Sequence, residues 1–158
     1  MEKTSPRHYR HVGRASRPTG HGMPPKGVGP IIQWVTRHKR DPWPELLVWE
    51  PSRPWYRTFS WLRLRRTPFR AHGHGNRIVA RRKGNRFDVE AGIGIEDVSL
   101  LLPATLVDAR KPVVVARNGE VVFEGFVLPD PRAVIETGWE RLDPETIATY
   151  RIDLPDRR

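Results

Sequence analysis

The chain has 158 residues, a formal net charge of +10 and no cysteine. A chain of this length forms one ordinary domain, or one small domain with an attached arm. The lack of cysteine excludes disulfides, thiolate metal ligands and a cysteine nucleophile. The sequence contains neither an apolar run of about 18 residues nor an apolar N-terminal stretch. We therefore expect no membrane helix and no secretory signal in this chain, and its localisation stays open.

The charge is unevenly distributed along the chain. Residues 1–86 contain 20 Lys and Arg against 4 Asp and Glu, a net of +16, whereas residues 87–158 contain 8 against 14, a net of −6. Such asymmetry is found in proteins that bind nucleic acid. It also fits a compositional bias, since 23 of the basic residues are arginine and 5 are lysine, or a basic half that packs on a partner.

The N-terminal quarter divides into an arm and a short helical segment. Residues 1–18 are charged and lack an apolar period, so we predict a disordered basic arm. Within residues 19–42, Pro30 suits the first turn of a helix that ends at Asp41-Pro42. This short amphipathic helix needs a docking surface, because it has one apolar stripe at i, i+3, i+4 and i+7: Ile31, Trp34, Val35 and His38.

From residue 43 the apolar period changes from helical spacing to two, which indicates strands. A helix is predicted over Pro131–Leu142, with Asp130 as its N-cap. Residues 43–158 are therefore predicted to form a mainly β (α+β) domain, a small antiparallel β-sandwich of about seven or eight strands. The strand segments are 46–50, 59–64, 77–82, 86–91, 98–102, the two arms of 113–127, and 146–154. Segments 77–82 and 86–91 are predicted to form a hairpin around Lys83-Gly84-Asn85.

The strongest local signal is the hairpin predicted over Val113–Val127. Asn118-Gly119 supplies two residues that tolerate positive φ, as a type I′ turn requires, between β-branched arms. Both arms carry apolar residues on both faces for part of their length. We therefore expect the hairpin to lie inside a sheet and not at its edge.

Three histidines are candidates for chemistry. His21 lies in the stretch TGHGMPP (19–25), where the flanking glycines leave the imidazole uncovered, as a general base needs. His72 and His74, in HGHG, are spaced to share a metal ion. The sequence near them offers no carboxylate or third histidine to complete a site, so we expect no metal.

Aromatic and acidic residues allow two interpretations each. The aromatic residues among arginines could stack on single-stranded nucleic acid, but their alternation with Leu and Val favours core packing. These are Trp43, Trp49, Trp55, Tyr56 and Trp61. The acids Asp88, Glu90, Glu96 and Asp97 alternate with apolar residues as on a solvated sheet face. The chain has no Gly-x-Ser-x-Gly elbow, no glycine-rich phosphate loop and no zinc-finger spacing, so we expect no cofactor.

Several stretches, taken in order, resemble the C-terminal end of large bacterial serine hydrolases. Those enzymes have an α/β-hydrolase fold of the esterase and prolyl-oligopeptidase-like kind, followed by a β-rich accessory domain. The matching stretches are TGHGMPP (19–25), IIQWVTRHKRDPWP (31–44), LLVWE (46–50), FSWLRL (59–64), NRFDVEA (85–91), VSLLLPATLVDARKPVVVARNGEVVFEGFV (98–127) and TYRIDL (149–154).

The resemblance implies that His21 is the triad histidine. In that fold the triad order is Ser, then Asp or Glu, then His, so residues 19–42 would be the end of a hydrolase domain and residues 43–158 the accessory domain. The nucleophile elbow, the triad acid and the oxyanion donors would belong to an upstream hydrolase domain, the expected partner. The chain alone is expected to be inactive.

Three functional hypotheses follow. The first is a C-terminal fragment of a serine esterase or peptidase-like hydrolase that carries an orphaned triad histidine. The second is a basic β-domain that binds nucleic acid weakly and without sequence preference. The third is a non-catalytic structural or interaction module.

Overall fold

The computed structural model describes residues 28–51, 55, 57–65, 77–92, 95 and 97–155. The chain divides into two compact units, residues 1–41 and residues 42–158. The expected arm at 1–18 and the candidate histidines His21, His72 and His74 lie outside the described residues. In the described part, no helix has the length and apolar content needed to cross a membrane.

The described part of the first unit contains one helix, α1 (Gly29–Thr36), with Pro30 in its first turn. The predicted end at Asp41-Pro42 is wrong. The helix ends at Thr36, whose hydroxyl donates to Ile32 O (3.0 Å), while His38 N–H bonds to Val35 O in a tightened last turn. None of the helix residues is buried, so the predicted apolar stripe is exposed.

The second unit is mainly β, as predicted, and its described residues form nine strands in two sheets. The first sheet has the order β1-β4-β5-β7-β8 and the second has β2-β3-β6-β9. One helix, α2 (Pro131–Arg141), belongs to this unit, with short 3-10 turns at Ala104–Leu106 and Pro144–Thr146. The strands are β1 (Leu46–Trp49), β2 (Thr58–Phe59), β3 (Leu62–Leu64), β4 (Ile78–Lys83), β5 (Arg86–Ala91), β6 (Val98–Leu102), β7 (Val113–Arg117), β8 (Glu120–Gly125) and β9 (Tyr150–Asp153).

The core lies between the two sheets, and strands such as β1, β3 and β5 bury alternate residues in it. Trp61 of the second sheet meets Phe87 of the first edge to face, with ring centroids 5.4 Å apart. Every residue of β6 is buried. This strand is covered on both faces, by the core on one side and by α2 through Leu101 on the other.

Two predicted hairpins are confirmed. The turn between β7 and β8 has both residues at positive φ, Asn118 at 50° and Gly119 at 88°. The turn between β4 and β5 has Gly84 at φ 55°. The expected interior position of the first hairpin is right for β7 and wrong for β8, which is an edge strand. The exposed Glu120 and Glu124 fit that edge position.

The segment predicted as a single strand over 59–64 is a hairpin, β2–β3, that turns at Ser60-Trp61. Ser60 has φ 52°, an uncommon conformation for a residue other than glycine. Tertiary hydrogen bonds hold the turn: Ser60 Oγ donates to Pro42 O (2.7 Å) and Trp61 Nε1 donates to Pro44 O (3.0 Å). Alternation of apolar residues cannot predict such a turn.

The sandwich departs from the predicted antiparallel pattern at one place. β5 and β7 pair in parallel, because the intervening β6 joins the other sheet before the chain returns. The last strand is also shorter than predicted. It begins at Tyr150 and not at Thr146, since residues 144–146 form a 3-10 turn that Asp143 caps by accepting from Glu145 N–H.

Candidate interaction surface on α2

Helix α2 begins and ends with well-defined caps. The side chain of Asp130 accepts a hydrogen bond from Arg132 N–H (2.9 Å), and Pro131 occupies the first turn. Leu142 follows the helix at φ 50°, and its N–H bonds to Gly138 O. The caps fix the length of the helix, and therefore which side chains face the sheet.

The face of α2 that contacts the second sheet consists of small and polar side chains. Ala133 and Thr137 are buried there, and Ala133 packs with Leu101 and Ala148. The Thr137 hydroxyl donates to Ala133 O (2.7 Å) and accepts from Ala148 N–H (2.9 Å). One threonine therefore links the helix to the segment that precedes β9.

Ion pairs surround this contact. Glu136 accepts a hydrogen bond from Arg151 (3.0 Å) and forms an ion pair with Arg63 (2.9 Å), and Glu140 forms an ion pair with Arg63 (3.1 Å). The arginines are only 15% and 14% exposed. These half-buried pairs add to the small apolar contact of Ala133 with Leu101 and Ala148.

Arg141 holds the C-terminal end of α2. Its guanidinium donates to Ser60 O (2.6 Å) and Thr146 O (2.9 Å), and lies 5.5 Å from the centre of the Trp43 ring. Burial lowers the pKa of Arg141 from its usual value, yet arginine stays charged in proteins. The bonds tie the helix end to the β2–β3 turn.

The opposite face of α2 is apolar and exposed. Ile135, Trp139 and Leu142 are 69%, 83% and 84% exposed, and their spacing of four and three residues places them on one side of the helix. The helix thus reverses the usual arrangement, in which the apolar stripe of a surface helix faces the core. Solvation alone gives no reason for a tryptophan in this position.

Two further apolar residues are exposed just before the helix. Phe126 and Leu128, 65% and 80% exposed, line an open depression of about 370 Å³ together with Pro131, the first residue of α2. We call Phe126, Leu128, Ile135, Trp139 and Leu142 the α2 surface. Large exposed apolar side chains of this kind are typical of sites of protein interaction.

The sequence predicts α2 but not the direction of its apolar face. Ile135, Trp139 and Leu142 have the spacing that normally marks a buried stripe. A second stripe of residues on α2 is the sequence signal for its buried face. It consists of Ala133, Thr137, Glu136 and Glu140. Its arginine partners lie on strands β3 and β9, so the reversal depends on tertiary pairing.

The aromatic residues proposed for stacking are mostly core residues. Trp43, Trp49 and Trp61 are buried, as the core-packing alternative predicted. Trp55 is 67% exposed, and Tyr56 lies outside the described residues. The structure therefore does not assemble these aromatic rings into one platform.

The basic first half of the chain pairs with the acidic second half. Arg65 lies 3.2 Å from Asp97, and Arg81 and Arg86 lie 2.7 and 2.8 Å from Glu90 and Asp88. Arg81 and Glu90 meet across the β4–β5 pair, whereas Arg86 and Asp88 lie on the same strand. Among the described residues, these ion pairs offset part of the charge asymmetry of the sequence.

The described serines and histidine do not form a catalytic pair. Ser60 donates to Pro42 O, and Ser99, which is fully buried, donates to Asp153 (2.5 Å). His38 bonds to Trp34 O in its own helix region. Among the described residues there is also no group of three or more His, Asp or Glu placed to hold a metal ion.

We compared the chain with protein-family models, curated proteins and solved structures, and none of them matches it.

Proposed function

We propose that this chain is a non-catalytic protein-interaction module and that the α2 surface is its contact site. The observation that carries the proposal is the reversed helix, which turns Trp139 to solvent and a polar face to its own sheet. Burying large apolar side chains on a partner would stabilise the complex, at about 25 cal/mol per Å² of apolar area removed from water.

The resemblance to serine hydrolases implies that this module belongs to a larger enzyme. In such an enzyme residues 43–158 are an accessory domain, and His21 is a triad histidine whose serine and acid lie on an upstream domain. The isolated chain then has no turnover. The histidine is a general base in such a triad, and the covalent step belongs to the serine. This part of the proposal rests on the sequence resemblance.

Nucleic-acid binding is less well supported. The arginines Arg63, Arg65, Arg81 and Arg86 of the basic half all form ion pairs with acids of the other half. Phosphate binding at these positions would compete with carboxylates already in place. We expect any such binding to be weak, salt-sensitive and blind to sequence.

The interaction function is tested by making the α2 surface polar. The double variant Ile135→Ser/Trp139→Ser should keep the unfolding free energy of the isolated domain within about 0.5 kcal/mol per substitution, as for surface positions. Urea unfolding in dilute solution measures this value. A loss of about 2–5 kcal/mol, typical of truncated core residues, would show that these side chains stabilise their own domain, and the proposal would be wrong.

The proposed origin of the chain in a serine hydrolase predicts how the isolated chain behaves in an activity assay. We expect the purified protein to hydrolyse an activated ester no faster than free imidazole, and His21→Ala to leave the rate unchanged. The physical reason is that an imidazole without its serine, acid and oxyanion donors lacks most of the transition-state stabilisation. Turnover by the wild type that disappears in His21→Ala would contradict the non-catalytic assignment.

A further inference from the structure

We infer that α1 binds the surface of a membrane that carries anionic lipids, with the helix lying along the surface and its apolar side chains inserted between the headgroups. The inference concerns the first unit of the chain and does not depend on the α2 surface. Three observations carry it: the exposed apolar side of α1, the charge of the sequence around the helix, and the length of the helix.

The apolar side chains of α1 lie on one side of the helix and are exposed. Ile31, Ile32, Trp34 and Val35 are 40%, 55%, 40% and 53% exposed. At about 3.6 residues per turn they cover an arc of roughly 160°, and Gln33 lies on the opposite side. An amphipathic helix with a tryptophan beside its aliphatic stripe is typical of segments that lie in a membrane interface.

The sequence around α1 is cationic and contains no acid. Residues 3–40 include nine Lys and Arg and no Asp or Glu. Arg37 and Lys39 follow the helix directly, and neither has an acidic partner among the residues that the structure describes. An anionic lipid surface attracts each Lys or Arg that lies close to it. Insertion of apolar side chains and attraction of basic ones together anchor a protein to such a surface.

The length of α1 determines its orientation. Its eight residues extend over about 12 Å, well short of the roughly 30 Å of a bilayer's hydrocarbon core. The helix therefore lies on the membrane and does not cross it. In this orientation the long side chains of Arg37 and Lys39 can keep their charged ends at the level of the headgroups while their stems contact the apolar layer.

The combination of apolar surface and charge favours a lipid surface over the other candidates. Nucleic acid would attract the same cations, but it would leave Ile31, Ile32 and Val35 without an apolar partner. Helix α2 also has an exposed apolar side, but residues 131–146 contain two Arg and four Asp and Glu, a net of −2. Of the two described helices, α1 is the one that matches an anionic interface in both charge and polarity.

The experiment is flotation of the full chain with unilamellar vesicles in a density gradient. One set of vesicles is pure phosphatidylcholine, and in the other roughly one lipid in three is phosphatidylglycerol, which makes the surface anionic. We expect the wild type to bind the anionic vesicles at least about tenfold more tightly than the neutral ones. Added salt should weaken this binding, because it screens the attraction between the cations and the headgroups.

Two variants separate the apolar contribution from the charged one. Ile31→Ser/Trp34→Ser removes two inserted side chains and should weaken binding to the anionic vesicles at least about tenfold. Arg37→Gln/Lys39→Gln removes two charges and should weaken the same binding about tenfold. The charge variant should leave the weaker binding to neutral vesicles unchanged, since that binding depends on the apolar side chains alone.

Leu46→Ser/Val48→Ser makes a similar change at two exposed apolar residues of β1. It is the matched control and should bind as the wild type does. A wild type that does not float with anionic vesicles, or that binds neutral vesicles equally well, would overturn the inference. Binding that Ile31→Ser/Trp34→Ser leaves intact would also overturn it, because charge alone would then explain the binding.

Urea unfolding tests whether the apolar side of α1 has another role. We expect Ile31→Ser/Trp34→Ser to be as stable as the wild type, since surface substitutions have small effects on stability. A loss of stability typical of truncated core residues would show that these side chains pack against the rest of the chain. In that case they are not available to a membrane, and the inference would be wrong.

Discussion

At the scale of single residues, Gly119 shows how a backbone angle constrains the sequence. It has φ 88°, and a Cβ at this position would meet no atom within 4 Å. The requirement for glycine is therefore torsional and not steric. Its neighbour Asn118 also makes a tertiary contact, because its side-chain oxygen accepts a hydrogen bond from Ala91 N–H (2.9 Å) at the end of β5.

Gly119→Val should lower the unfolding free energy by about 1 kcal/mol or more, since a β-branched residue resists positive φ. Gly119→Asn is the matched control and should cost less, because asparagine tolerates the left-handed region. Chemical denaturation of both variants measures the difference. Equal stability of the valine and asparagine variants would contradict the torsional explanation.

At the scale of elements, the hydroxyl of Thr137 contributes to the packing of α2 on the second sheet. Thr137→Val keeps the shape of the side chain but leaves the buried Ala148 N–H without the acceptor it has now. We expect a loss of about 1–3 kcal/mol, the cost of a buried unsatisfied donor. Thr137→Ser retains the hydroxyl and should lose less. Urea midpoints measure the order of stability, and a valine variant as stable as wild type would exclude this role.

Elements whose geometry is fixed locally were predictable from the sequence. Asn118-Gly119 and Gly84 define their turns by backbone preference alone, and Asp130 with Pro131 defines the start of α2. The β2–β3 turn and the outward direction of Trp139 were not predictable, because hydrogen bonds to Pro42 and Pro44 and ion pairs to Arg63 and Arg151 determine them. These partners are remote in sequence. The predicted catalytic residue, His21, stays a prediction.

At the scale of the whole molecule, opposite charges that are separated in sequence meet in the folded sheets, as for Arg65 and Asp97. A more local network surrounds Asp153 in β9. Its carboxylate accepts from Ser99 Oγ (2.5 Å) and Arg151 Nε (2.9 Å). Burial raises the pKa of Asp153, but the bonds from Ser99 and Arg151 outweigh it and hold the pKa below its usual value.

This lowered pKa predicts loss of stability in acid. The contribution of Asp153 is complete above the unfolded pKa of about 4 and is lost as the pH falls through the lower folded value. Asp153→Asn should therefore be less stable than wild type at neutral pH, and the gap in melting temperature should narrow below about pH 4. Thermal unfolding from neutral to acidic pH measures the gap. A gap that stays constant with pH would contradict the prediction.

The order in which strands join the two sheets has a consequence for biosynthesis. Along the chain the sheets alternate: β1 enters the first, β2 and β3 the second, β4 and β5 the first, β6 the second, β7 and β8 the first, and β9 the second. The core cannot be completed before β9 is synthesised, since Tyr150 and Ile152 of β9 belong to it. During translation β6 therefore lacks its β9 partner, and the core stays incomplete, until β9 has emerged.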